Sequence, residues 1–93
     1  MKSVKMFYRQ GCPYCRAAFE ALEDLKKEKP EFSQIPIEFI DENEKPEIAD
    51  SYDYYYVPTV YVDERKSFEA GRRDTYESLK EKLDAALLDA CGT

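Results

Sequence analysis

A chain of 93 residues has room for one hydrophobic core and not for two, so a single domain over residues 1–93 is expected. Apolar residues make up 43% and charged residues 37%, and no apolar run approaches the roughly 20 residues of a membrane span. The net charge of -6 speaks against nucleic acid, whose binders carry basic patches. The start, Met1-Lys2-Ser3-Val4-Lys5, carries no apolar secretory stretch, and three cysteines are too few for a secreted disulfide scaffold. A cytoplasmic protein, expected to be a monomer, is the simplest reading.

Val4-Lys5-Met6-Phe7-Tyr8 alternates in polarity and reads as a first strand. Arg9-Gln10-Gly11 is the turn leaving it. A helix is expected from Pro13 to Lys29, with Cys15, Ala18, Phe19, Leu22 and Leu25 on one face, and Pro30 stopping it. Pro13 suits the first helical position, because its missing N–H is not needed there and its φ is already helical. Ile35 to Ile40 reads as a second strand with Ile35, Ile37 and Phe39 alternating. Asp41 to Lys45 is a polar connection, and Pro46 opens a short helix to about Ser51. Tyr52-Asp53-Tyr54-Tyr55-Tyr56 leaves two roles open for its rings, core packing or an aromatic rim for a substrate. Val57-Pro58 introduces a third strand, Thr59 to Val62. A polar turn over Asp63 to Lys66 leads to a weaker fourth strand, Ser67 to Ala70. Asp74 is expected to cap the last helix, with Glu77 completing a capping box. Tyr76, Leu79, Leu83, Ala86, Leu87 and Ala90 form its apolar face, and Gly92 ends it. Cys91 reads as a bystander thiol.

The chemistry lies in Cys12-Pro13-Tyr14-Cys15. Two thiols three positions apart meet only where the backbone curls, as at a helix start. Cys12 falls at or just before the cap, where unpaired N–H groups and the helix dipole favour a thiolate. The thiolate is the nucleophile of disulfide exchange. Cys12 is therefore expected to attack and Cys15, one turn inside, to resolve. A metal site within one chain lacks ligands, since there is no His and one further Cys. Arg9 and Arg16 flank the motif, as thiolate-stabilising cations or as solvated surface charges.

Gly11-Cys12-Pro13-Tyr14-Cys15, Val57-Pro58, and Gly71 with Asp74 together resemble the glutaredoxins of the thioredoxin-fold superfamily, in their dithiol Cys-Pro-Tyr-Cys form. The resemblance implies an α/β thioredoxin-like fold, β-α-β-α-β-β-α, with a four-stranded mixed sheet flanked by helices. It implies a cis Pro58 and a Val57 backbone that pairs with an extended substrate. It also implies a thiol–disulfide oxidoreductase acting on protein or glutathione mixed disulfides. Arg9, Tyr14, Tyr56, Val57, Pro58, Gly71 and Asp74 are its expected substrate-binding residues, although Tyr56 stands where the family usually has Thr and Ala70-Gly71 where it has Gly-Gly. No tightly bound cofactor is implied. Glutathione or a reductase is the expected electron donor. A thioredoxin-like reductase of protein disulfides and an iron–sulfur assembly module remain as alternatives.

Overall fold

The computed structural model describes residues 1–92. Its strands are β1 (Val4–Tyr8), β2 (Ile37–Asp41), β3 (Thr59–Val62) and β4 (Arg65–Glu69). They form one sheet in the order β2-β1-β3-β4. β1 runs parallel to β2 and antiparallel to β3, and β3 is antiparallel to β4. The helices are α1 (Pro13–Glu28), a short α2 (Pro46–Ala49) and α3 (Tyr76–Cys91). The expected mixed four-stranded sheet and order of elements are present, with one addition, a 3-10 helix over Pro30–Gln34. No helix among the described residues is long and apolar enough to cross a membrane.

Strand side chains alternate between the two faces, and the core divides accordingly. Val4 and Met6 of β1 and Val60 and Val62 of β3 pack beneath α1 and α3, against Ala18, Leu22, Leu25, Leu79, Leu83 and Leu87. Phe7 of β1 and Tyr61 of β3 point the other way, into a second cluster with Ile40, Ala49, Cys12 and Cys15. Both long helices thus lie on one face. The opposite face is covered by α2 and by the tyrosine segment, whose Tyr52 and Tyr54 rings stack on Phe7 at 4.8 and 5.0 Å.

Three sequence expectations change. The second strand begins at Ile37 and not at Ile35, because Phe32 is drawn into the core through the 3-10 helix and Ile35 closes that helix. Pro36, which follows, has no N–H to give to a ladder. Ile37 and Phe39 share the α1 face as expected, although Phe39 is left 39% exposed, and Ile40 is fully buried in the second cluster. β2 lies at the sheet edge, and Phe39 packs on the Phe19 ring of α1, with ring centroids 5.4 Å apart.

The hairpin turn is Asp63-Glu64 alone, with φ of 51° and 67°. Two residues of positive φ form the tight turn whose twist matches a hairpin. β4 therefore starts at Arg65, earlier than expected. Asp63 accepts the Ser3 N–H at 3.3 Å, and Glu64 accepts Lys5 Nζ at 2.8 Å and the Tyr52 hydroxyl. Finally, α3 is capped by Thr75 and not by Asp74. The Thr75 hydroxyl accepts the Ser78 N–H, and the Thr75 N–H donates in return to the Ser78 hydroxyl oxygen. Ser78, not Glu77, completes the capping box, since it stands three residues after the true cap.

The buried Phe32 generates a stability prediction. Phe32→Ala removes a ring that nothing else can replace beneath α1, and should destabilise the fold by about 3–5 kcal/mol. Urea denaturation checks this; a loss under about 1 kcal/mol would show that the 3-10 helix is not anchored by that ring.

Candidate functional site

The site forms where β1 ends and α1 begins. Arg9 and Gln10 carry the chain out of the sheet, and Gly11 turns it at φ 83°, a conformation that favours glycine. Cys12 then takes extended dihedrals as the N-cap of α1, and its carbonyl accepts the Arg16 N–H at 3.0 Å. Pro13 is the first helical residue, as its chemistry demands. Both Cys12 and Cys15 are buried free thiols.

The two sulfurs differ in electrostatics. Burial by itself pushes the Cys12 thiol up. The Cys15 N–H and thiol, the Tyr14 N–H and the positive charge of Arg9 together outweigh that and hold it below the ordinary thiol value. This is the helix N-terminus acting on an anion through its unpaired donors. Burial pushes the Cys15 thiol up to about 12, and the neighbouring Cys12 sulfur adds to the rise against the opposing influence of Arg9. One thiol is thus readily ionised and the other holds its proton.

Opposite the thiols, the Val57-Pro58 peptide bond is cis. The Cys12 Sγ lies 3.9 Å from the Val57 carbonyl oxygen. Glu69 fixes the approach to this segment: one carboxylate oxygen accepts the N–H groups of both Tyr55 and Tyr56 at 2.7 Å, and the other pairs with Lys66 Nζ at 2.9 Å. The next N–H, that of Val57, has no hydrogen-bond partner among the described residues. Ala70 N–H bonds to the Pro58 carbonyl at 2.9 Å and ties the far side.

A groove of about 190 Å³ opens beside Cys12. Arg9, Tyr14, Tyr56, Val57 and Gly71 of the expected set line it, joined by Glu42, Tyr55, Ala70 and Arg72. The Tyr14 hydroxyl donates to the Arg72 carbonyl at 3.1 Å and spans one end. Pro58 is fully buried under the groove. Asp74 is not brought into it. Its carboxylate, 6% exposed, is taken up internally by the Gly71 N–H at 2.8 Å, the Ser78 hydroxyl at 2.8 Å and Lys82 at 2.8 and 3.0 Å. Arg16 lies outside the groove, in a second opening that shares Arg9 and Cys12 with it and adds Gly11 and Cys15. Cys91 is at the end of α3, half-buried and outside both openings.

The tyrosine segment divides between its two expected roles. Tyr52 and Tyr54 pack inward, whereas Tyr55, 87% exposed, and Tyr56, 55% exposed, form the groove wall. Sequence reasoning missed Glu42 and Glu69. Glu42 follows β2 directly, and parallel pairing of β2 with β1 places it beside Arg9. Glu69 carries no local signal for this role, since the two N–H groups it accepts come from a loop that precedes the hairpin.

A dithiol at a helix start, facing a cis proline across one end of a four-stranded sheet, defines a thiol oxidoreductase of the thioredoxin fold. The solved thioredoxin 1 of the thermophilic eubacterium Thermosipho africanus has this fold, at 21% identity and a TM-score of 0.60 over 96% of this chain and 98% of its own. A mutant thioredoxin of Halobacterium salinarum does too, at 20% identity and a TM-score of 0.59 over 92% of this chain and 74% of its own. In sequence, a thioredoxin of Methanocaldococcus jannaschii is 30% identical over 59 residues, 63% of this chain and 67% of that one. The glutaredoxin family model matches residues 4–66, from β1 through the hairpin turn. The chain belongs to the glutaredoxin family.

The thiol asymmetry makes a titration prediction. Cys12 ionises more readily when folded, so its contribution to stability is present above the unfolded thiol value and is lost as pH falls through the folded value. Cys15 behaves in the opposite sense: its contribution is present below the unfolded value and is lost as pH rises towards 12. At neutral pH iodoacetamide should therefore modify Cys12 ahead of Cys15. Arg9→Ala should slow that modification about two- to fivefold, the size expected of one exposed charge. Equal labelling of the two thiols, by peptide mass mapping, would contradict the asymmetry.

Proposed function

We propose that the protein reduces disulfides through its Cys12/Cys15 dithiol. The observation that carries this is the Cys12 sulfur, at the α1 N-cap and 3.9 Å from the Val57 carbonyl, opening into a groove beside an unpartnered backbone N–H. The Cys12 thiolate attacks one sulfur of a substrate disulfide. That S–S bond breaks, a Cys12–substrate disulfide forms, and the released thiolate takes up a proton. Cys15 then gives up its proton and attacks the Cys12 sulfur, freeing the second substrate thiol and closing Cys12–Cys15. Two electrons pass from the dithiol to the substrate, and donor thiols restore the dithiol.

Val57 offers its free N–H to an extended substrate segment, in the manner of an added strand. Glu69 is a positioning residue in this reading, because it consumes the two preceding N–H groups and leaves the third to face the groove. Arg9, Tyr14, Tyr56 and Gly71 form the groove walls. Pro58 supports its floor without contributing a donor. Glutathione is the proposed donor, supported by membership of the glutaredoxin family and by the Arg9, Tyr14 and Val57 set. A second reading is a reductase of protein disulfides served by a separate reductase. The exposed Tyr56 and Tyr55 favour it, because they crowd the groove with aromatic surface suited to a polypeptide. A monomer of the cytoplasm, needing no tightly bound cofactor, fits both readings.

Turnover of a glutathione mixed disulfide, coupled to glutathione reductase and NADPH, tests the donor. Steady turnover supports glutathione; its absence with intact thiols, alongside reduction of a protein disulfide by thioredoxin reductase, transfers the assignment to the second reading. Cys12→Ser should abolish exchange, and Cys15→Ser should retain reduction of glutathione mixed disulfides. Exchange surviving in Cys12→Ser would overturn the assigned roles. Glu69→Ala should raise KM about threefold to tenfold, as expected for one lost positioning contact, while leaving the Cys12 alkylation profile unmoved. A shift of that profile would instead mean that Glu69 acts on the sulfur.

A further inference from the structure

The groove beside Cys12 contains a carboxylate that the disulfide chemistry does not use. Glu42 follows the last residue of β2, and its N–H bonds to the Tyr8 carbonyl at 3.0 Å. Tyr8 and Asp41 are register partners, so the residues after them, Arg9 and Glu42, leave neighbouring strand ends side by side. One Glu42 oxygen accepts the Tyr54 hydroxyl at 2.9 Å, and the other lies 3.9 Å from an Arg9 guanidinium nitrogen. Tyr54 is itself locked against Phe7. The carboxylate is thus held from behind by a fixed ring, while its side chain stays 25% exposed at the groove.

The two ends of the groove carry different charge. At one end the Arg9 cation faces the Glu42 anion. At the other, Arg72 has no carboxylate within ion-pair distance among the described residues. A thiol bearing carboxylates gains less at the Arg9 end than an unopposed guanidinium would give it. Tyr54 reinforces the arrangement. Burial and Glu42 both push its phenol up, out of its usual range, so it keeps the proton that it donates to the Glu42 carboxylate.

We propose that Glu42 is a specificity residue: it offsets Arg9 beside Cys12 and turns the groove away from anionic thiol groups, towards neutral or polypeptide disulfides. The inference rests on the reading of Cys12 as the attacking thiol, refines its substrate class, and favours the second reading, a separately served reductase of protein disulfides, over glutathione as donor. Removing one unit charge some 5–8 Å from a substrate carboxylate at a protein surface is worth about three- to tenfold in rate at low salt.

The test is single-turnover reaction of the pre-reduced protein with two mixed disulfides of one uncharged cysteinyl peptide, the first with glutathione and the second with 2-mercaptoethanol. No electron donor is needed. Glu42→Gln keeps the acceptor for Tyr54 and removes the charge. It should raise the second-order rate on the glutathione adduct about three- to tenfold relative to the neutral adduct. The gain should collapse in molar salt, where screening reaches a few ångströms. Any change in Cys12 reactivity from a released Arg9 affects both substrates alike and cancels in the ratio. Glu42→Ala should give the same ratio, since charge and not shape does the sorting. A ratio unchanged in both variants, or changed but insensitive to salt, would overturn the inference and leave the disulfide chemistry standing. A wild-type protein that reacts with neither adduct, its thiols intact by titration, would overturn the underlying reading and the inference with it.

Discussion

Everything at the site depends on where one sulfur is put. Cys12 is the cap of α1, and a cap is the position where a helix has donors to spare. The N–H groups of Tyr14 and Cys15 serve the Cys12 sulfur. This arrangement needs α1 to start immediately beyond β1, which in turn needs Gly11 to reverse the chain and Pro13 to begin the helix. It also needs α1 to stay fixed over the sheet. Its buried Ala18, Ala21, Leu22 and Leu25 do this, packed with α3 across Met6 and Val60. The ordinary packing energy of the larger core holds the geometry that makes the smaller cluster reactive.

That smaller cluster is unusual in its material. Phe7, Tyr52, Tyr54 and Tyr61 form a layer of rings on the sheet face away from the long helices. Each tyrosine carries a hydroxyl that must find a partner when buried, and each does: Glu64 for Tyr52, Glu42 for Tyr54, the Asp53 carbonyl for Tyr61. The layer therefore does more than fill space. Through Tyr54 it fixes a carboxylate in the groove, and through Tyr52 it reaches the hairpin tip.

The sequence disclosed what is local and periodic. The apolar stripe of α1, the alternation of β1 and the Cys-Pro-Tyr-Cys motif each carry their own signal within a few residues, and each lies where it was expected. What was illegible depends on distant partners. The 3-10 helix exists because Phe32 finds space under α1. Phe39 is only partly covered by α1 because β2 is an edge strand. Asp74 lost the cap to Thr75, a neighbour of equal chemical suitability, because its carboxylate is claimed by Lys82 and Gly71. Glu42 and Glu69 acquire meaning only after strand pairing brings Arg9 and the Tyr55-Tyr56 backbone to them.

The burial of Cys15 has a consequence for the return half of the cycle. In the proposed cycle, once Cys12 and Cys15 are joined, an incoming donor thiol must attack one of them, and of the two only Cys12 lines the groove beside Val57. The sulfur then expelled is Cys15, whose thiol prefers its proton up to about 12. Such a sulfur departs slowly, because departure is faster the more acidic the thiol. The same enclosure that makes Cys15 a strong internal nucleophile when it loses its proton makes it a reluctant leaving group. In the proposed cycle the burial of Cys15 thus acts on both halves, on closure through the proton it must lose and on reopening through its departure.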